Sequence, residues 1–349
     1  MVEFALLAKL TEAFGVPSEE HEIAKLMEAE FKKRGWHAET DRFGNVVAKS
    51  PKCKTSPIMI AAHMDEIGLM VKFVSDKGFL RFIKVGSIDD RVLPNQRVVI
   101  PTPDGKIYGV IGHKPPHMQK KGGERRAPEA KDLFIDIGAK SRKEVEKLGV
   151  RIGTPVGFDI PARHLQGGRI TAKALDDRAG CYGLLKLAET LKGEDVVLVG
   201  SVQEEVSMFG KGAALSAYRL QPRAFVALDT AIAGDHPEIT DEESGGIGLD
   251  KGPVITLVEA AGMGNVADRQ MREHFMAVAK RAKIPIQLEV IEGGATDAAS
   301  VYSVRGGIPS IALGIPTRYI HSNVGVCAAR DIEQTIELME RAVKTFPKK

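Results

Sequence analysis

Several apolar runs in this sequence end in side chains that bind cations or move protons. Pro57 to Ala62 runs into His63-Met64-Asp65-Glu66, Val196 to Val202 into Gln203-Glu204-Glu205, and Ala224 to Leu228 into Asp229. Asp176-Asp177 stands just before an apolar helical stretch, and His321 follows the last apolar run by a short loop. Each residue alone has an ordinary explanation, as scaffold histidine, helix start or cap. Glu204-Glu205 is harder to dismiss, because adjacent carboxylates after a buried strand repel unless something positive lies near them. Five imidazole and carboxylate positions at such ends together point to a metal site. Donors of these two types without thiolate suit Zn²⁺, Co²⁺ or Mn²⁺. Two histidines and three or more carboxylates exceed what one catalytic zinc takes, so two ions sharing a carboxylate, about 3.5–4 Å apart, fit the count better.

The elements that must position these residues read as an interrupted α/β fold. In open α/β sheets the carboxyl ends of neighbouring strands converge on one crevice, so residues remote in sequence can meet there. A first helix is expected after Ser18 as cap, with Glu19 and Glu20 in its first turn, Ile23, Leu26, Met27 and Phe31 on one face and Gly35 ending it. A hairpin of Trp36 to Thr40 and Val46 to Ala48 follows. Pro57 to Ala62 has the continuous apolar texture of a strand covered on both faces. From Gly68 to about Ala162 short β-like runs are broken by Gly, Pro and Asp, which predicts an inserted barrel or sandwich. After residue 166 the α/β texture returns: helices over Arg178 to Leu191, Gly212 to Leu220, Val266 to Lys283 and Ile332 to Thr345, the last capped by Asp331. Strands are expected over Val196 to Val202, Ala224 to Leu228, Pro285 to Ile291 and Pro309 to Leu313.

Composition narrows the setting. The 349 residues carry 49 Lys+Arg against 46 Asp+Glu in mixed order, so no polybasic tract suggests nucleic acid as a partner. No apolar run approaches the roughly 20 residues of a membrane span. Three widely spaced cysteines, Cys53, Cys181 and Cys327, and an acidic residue where a secretory leader needs a basic one predict a cytoplasmic protein.

Taken in order, the motifs Ala61-Ala-His-Met-Asp-Glu-Ile-Gly68, Ala174-Leu-Asp-Asp-Arg178, Val202-Gln-Glu-Glu-Val206, Ala227-Leu-Asp-Thr230, Gly293-Gly-Ala-Thr-Asp297 and Arg318-Tyr-Ile-His-Ser-Asn323 resemble those of one family. It is the dinuclear metallo-aminopeptidases that assemble into tetrahedral particles, among them glutamyl, leucyl and deblocking aminopeptidases. The likeness runs from about residue 5 to 345 and includes the Pro115-Pro-His-Met-Gln119 loop; Ala295 stands where some relatives have a third Gly. It implies a mixed-sheet α/β/α metallopeptidase domain of residues 1–68 and 163–349, with residues 69–162 an inserted β-barrel-like dimerisation domain. It implies removal of N-terminal residues from short peptides. One metal ion is then held by His63, Asp176 and Asp229 and the other by Asp176, Glu205 and His321, with Asp176 as the bridge and Glu204 as general base. Asp65 accepts the second ring N–H of His63. Asp177 is structural, with a cis bond after Asp176.

The insertion has few reasons to exist in a monomer, since its β edges would lie exposed; a homodimer is expected, building by resemblance to a hollow particle of twelve subunits. Two rivals share the ligand scheme. A two-metal deacylase or carboxypeptidase would grip a substrate carboxylate with Arg178 or Arg318, and a non-catalytic assembly protein would keep the metals for structure. Asp235, Glu238 and Glu292 are candidates for favouring a basic side chain, and equally for solvated surface.

Overall fold

The computed structural model describes residues 1–115, 118, 127–207 and 211–347. Most of the loop around Pro115–Gln119 and Met208 lie outside the described residues.

Four parallel strands form the centre of an eleven-stranded mixed sheet, in the spatial order Val196–Ser201, Ile58–His63, Ala224–Ile232 and Ser310–Arg318. Their sequences are apolar throughout because each covers two cores. Ile58, Ile60 and Ala62 face one helical layer while Met59 and Ala61 face the other, and Leu198 and Val226 alternate in the same way with Val199 and Phe225. The first layer contains the helices Phe4–Glu12, His21–Lys33, Leu175–Thr190, Arg269–Ala282 and Ala329–Thr345; the second contains Gly212–Leu220 and Asp297–Tyr302. On one side the sheet extends antiparallel through the hairpin His37–Thr40 and Val46–Lys49. On the other it continues through Gly325–Ala328, Arg169–Ala172 and Arg163–Leu165. Val254–Val258 pairs with Ser310–Arg318 and with Gln287–Val290 off this path.

The inserted segment closes on itself. Gly68–Val74, Leu80–Val85, Phe134–Asp136, Gly105–Gly112, Arg97–Thr102 and Pro155–Phe158 follow one another around a six-stranded antiparallel barrel. Its own core includes Leu69, Val71, Phe82, Val98, Ile135 and Val156. A closed barrel has no free edge strand, so the expectation that exposed edges drive pairing is corrected. Exposed apolar side chains on the barrel remain, notably Phe73, Ile83, Tyr108 and Val110.

Several local expectations also change. Ser18 has a left-handed backbone (φ 68) inside a turn closed by the Glu19 N–H to the Val16 carbonyl, and the helix begins at His21 with Glu20 as its flanking residue. Asp331 lies inside the last helix, which starts at Ala329; its carboxylate instead accepts hydrogen bonds from the N–H groups of Asp250 (2.7 Å) and Gly252 (2.9 Å). Among the described residues no helix is long and apolar enough to cross a membrane.

Candidate metal centre and catalytic site

Register decides which side chains meet. Ser201 pairs with His63 and Ala227 with Ala61, so the segments leaving these strands start from one level of the sheet. The helix Leu175–Thr190 enters from the same end through Ala174, in the left-handed region at φ 51, and the Asp176–Asp177 bond is cis. His321, itself at φ 55, arrives three residues beyond Arg318.

The structure brings His63, Asp176, Glu204, Glu205, Asp229 and His321 together. His63 Nε2 lies 3.1 Å from Asp176 Oδ1, 3.8 Å from Asp229 Oδ1 and 3.9 Å from Glu204 Oε2. His321 Nε2 lies 3.3 Å from Glu205 Oε2 and 3.6 Å from Asp176 Oδ2. Asp176 therefore turns one oxygen toward each imidazole. The donor atoms of His63, Asp176 and Glu205 fall within 4.8 Å of one another, as do those of His63, Asp177 and Asp229. Asp177, however, already uses both oxygens: Oδ2 accepts from the His63 N–H (3.1 Å) and Oδ1 from the Gly180 N–H (2.9 Å). A Cβ on Gly180 would fall 2.3 Å from Asp177 Oδ1, so that glycine is required by the close approach.

Burial dominates the electrostatics. It pushes the carboxyls of Glu204, Glu205 and Asp229 well above the usual range, and their neighbouring carboxylates push in the same direction. Burial likewise raises Asp297 to about 6. Burial works against protonation of His63, yet Asp176, Asp65, Asp229 and Glu204 together hold it well above its ordinary value. Asp176 is held below the ordinary carboxyl value, because His63, His321 and Thr230 outweigh its burial. A pocket with this excess of negative groups and two imidazoles is a donor set for divalent cations, so the residues fit a metal centre.

Asp65 sits differently from the expectation. The hydrogen-bond contact to His63 Nδ1 comes from the Asp65 backbone carbonyl at 3.1 Å, while the carboxylate is 3.6 Å away. That carboxylate accepts from two successive backbone N–H groups, Glu204 and Glu205, each at 3.0 Å. Glu20, which the sequence reading treated only as a helix residue, extends the row by accepting from the Gln203 N–H at 3.2 Å; burial raises its carboxyl to about 7. Gln203 is left-handed at φ 59, so the turn carrying Glu204 and Glu205 is held by side chains rather than by a ladder. Asp65→Asn keeps one oxygen and loses the other acceptor. We expect kcat to fall about 10–100-fold with KM little changed, as for other groups that orient ligands, read by steady-state kinetics; an unchanged kcat would remove the role.

Asp297, which closes the Gly293–Asp297 motif, supports this turn from below the sheet end. It is 4% exposed and accepts from Ser201 Oγ at 2.6 Å, directly below the turn that carries Glu204. The arginines suggested for a carboxylate grip are already engaged. Arg178 is fully buried, donating to the carbonyls of Leu10 and Ala13, and Arg318 forms a two-pronged pair with Asp235. Beside this His and carboxylate cluster opens a cavity of about 390 Å³, lined in part by His63, Asp176, Glu204, Asp229 and His321.

Residues 44–338 match the family model described as M42 glutamyl aminopeptidase. The chain belongs to that family. As an M42 peptidase it is a metal-dependent aminopeptidase, a hydrolase that uses divalent metal ions. Aminopeptidase APDkam598 from the archaeon Desulfurococcus kamchatkensis superposes with a TM-score of 0.91 at 40% identity, covering 98% of this chain and 94% of that one. The Pyrococcus horikoshii TET1 peptidase, which can assemble into a tetrahedron or a large octahedral shell, superposes at 0.87 with 32% identity over 97% of this chain and 98% of that one. Lysyl aminopeptidase of Pyrococcus furiosus is 34% identical over 347 residues, 97% of this chain and 96% of that protein. These matches agree with the α/β fold class and the inserted barrel of the M42 chain.

Proposed function

We propose that this M42 enzyme releases N-terminal residues from short, unblocked peptides with two divalent ions per chain, drawn from zinc, cobalt and manganese. His63, Asp176 and Asp229 would hold one ion and Asp176, Glu205 and His321 the other. The observation that carries this reading is Asp176, whose two oxygens point to different imidazoles. When bound, the metals supply Lewis acidity and an acidified water. Glu204 is assigned as general base: its carboxylate is near His63 but outside both proposed ligand sets, and a carboxyl raised by burial above its ordinary value is a stronger base for taking a proton and returning it to the leaving amine. Asp65 is assigned as the residue that positions Glu204 and Glu205.

The test is hydrolysis of matched peptides with free and acetylated N-termini by the metal-loaded protein. Free peptides should lose residues one at a time from the amino end while acetylated ones persist. Cleavage of acetylated peptides at comparable rates, or from the carboxyl end, would replace this reading with the deacylase or carboxypeptidase one, which the engagement of Arg178 and Arg318 disfavours. Metal binding with no hydrolysis of any peptide would favour the non-catalytic assembly protein.

The same proposal takes residues 1–68 and 163–349 as the catalytic domain and 69–162 as a dimerisation domain. It builds dimers into a twelve-subunit tetrahedral particle. Support comes from the exposed Phe73, Ile83, Tyr108 and Val110 of the barrel and from the shells described for the Pyrococcus horikoshii peptidase. Light scattering at micromolar concentration should give a mass far above one chain, reduced by Tyr108→Lys; a stable monomer would reject assembly. A cytoplasmic setting is part of the proposal, supported by three cysteines that are all unpaired.

A further inference from the structure

One wall of the cavity is contributed by Thr256 and Glu289, on the paired strands Val254–Val258 and Gln287–Val290, and by the segment Gly293–Thr296. Two carboxylates belong to this wall, Glu259 at 1% exposure and Glu289 at 5%. Glu289 faces Thr256 across the strand pair and accepts from its Oγ1 at 2.6 Å. Glu259 accepts from Thr296 Oγ1 at 2.7 Å and from the Asn265 N–H at 3.2 Å. Among the described residues neither forms an ion pair; burial raises both carboxyls, Glu259 to about 7 with a smaller push from Glu289. Glu66, a buried carboxylate elsewhere in the chain, is bound by Lys173 at 2.7 Å, whereas the hydrogen bonds to Glu259 and Glu289 come from hydroxyl and N–H groups.

Two buried carboxylates that line one cavity gain in their charged form when the occupant brings positive charge. The same cavity is also lined by Ala231, Ile232 and Ile291, apolar side chains suited to contact with a methylene stem. The side chains expected to favour basic residues are elsewhere: Asp235 is spent on Arg318, and Glu238 and Glu292 are exposed.

We propose that this cavity receives the side chain of a basic N-terminal residue, the lysine ammonium or arginine guanidinium seating against Glu259 and Glu289. This rests on the aminopeptidase site described above, since the cavity opens directly onto it. The hydroxyls of Thr256 and Thr296 orient the two carboxylates, and Glu259 and Glu289 are specificity-determining residues rather than part of the bond-breaking machinery.

The test compares aminoacyl reporters of Lys, Arg, Leu, Glu and Gly on the metal-loaded enzyme. Expected is a kcat/KM for Lys and Arg at least about tenfold above Leu and Glu, the scale of one charge-assisted hydrogen bond. Glu289→Gln and Glu259→Gln should each lower the Lys-to-Leu ratio by about tenfold or more, acting mainly through KM. Equal or better hydrolysis of the Leu, Glu or Gly reporter would overturn the proposal without touching the aminopeptidase reading. Should no reporter be cleaved, that reading fails, and calorimetric titration with free L-lysine against L-norleucine still decides the cavity: preference for lysine supports it, and no preference overturns it.

Discussion

Glu204→Gln should leave the protein folded with its full metal content while kcat drops by about 10²–10⁴, the range for losing a general acid–base group. Glutamine keeps the shape and the Glu204 backbone N–H that Asp65 accepts, but it cannot take a proton. Because Glu204 lies outside the proposed ligand sets, removing its charge also relieves repulsion with Asp229, Asp297 and Glu205, which all raise its carboxyl. Elemental analysis alongside steady-state kinetics separates the two effects. Loss of metal in the variant would make Glu204 a ligand, and a kcat within about threefold of the parent would return the proton transfer to another group.

Chelation should abolish turnover and lower the melting temperature, by an amount that grows with pH. An ion bound only by the folded state at about a thousandfold excess over its Kd stabilises it by about 4 kcal/mol. Without metal, folding must bring Glu204, Glu205 and Asp229 together, and their carboxyls are pushed well above the usual values; Asp297 is pushed to about 6, and His63 is also raised. The folded metal-free chain therefore binds more protons than the unfolded one, so its stability falls as pH rises from about 4 through the raised values. Asp176 has the opposite sign, but its window lies below the ordinary carboxyl value. Glu20 and Glu259, each raised to about 7, act alike with and without metal, so the gap in melting temperature between loaded and chelated protein isolates the metal centre. Calorimetry at pH 5 to 8 should show the gap widening; a gap constant or narrowing with pH would contradict the donor set.

The centre was legible because its donors sit where buried strands stop. A short, wholly apolar run such as Ile58 to Ala62 suits a strand with two covered faces, and the first polar residues after it then lie at the carboxyl end of the sheet. Helix starts were less legible. Ser18 is a favoured cap residue by type, but a left-handed backbone puts its side chain outside that geometry, and Asp331 spends its carboxylate on a neighbouring loop. The hairpin Arg163–Leu165 and Arg169–Ala172 escaped notice because its first strand is exposed and polar. Glu289 is hidden for a related reason: in Gln287–Val290 burial alternates against hydropathy, with Gln287 and Glu289 inward and Leu288 and Val290 outward. Asp65 was found by its spacing from His63, while its grip on the Glu204 and Glu205 amides depends on a contact across 139 residues.

The order of these groups along the chain also governs when the enzyme can come into being. His63 is made first, then the entire barrel, then Asp176, Glu204, Glu205 and Asp229, and His321 only near the end. With the proposed ligand set a ribosome must deliver nearly the whole polypeptide before a hydrolytic centre exists, so copies ending before His321 are expected to be inert, however well their leading half has folded.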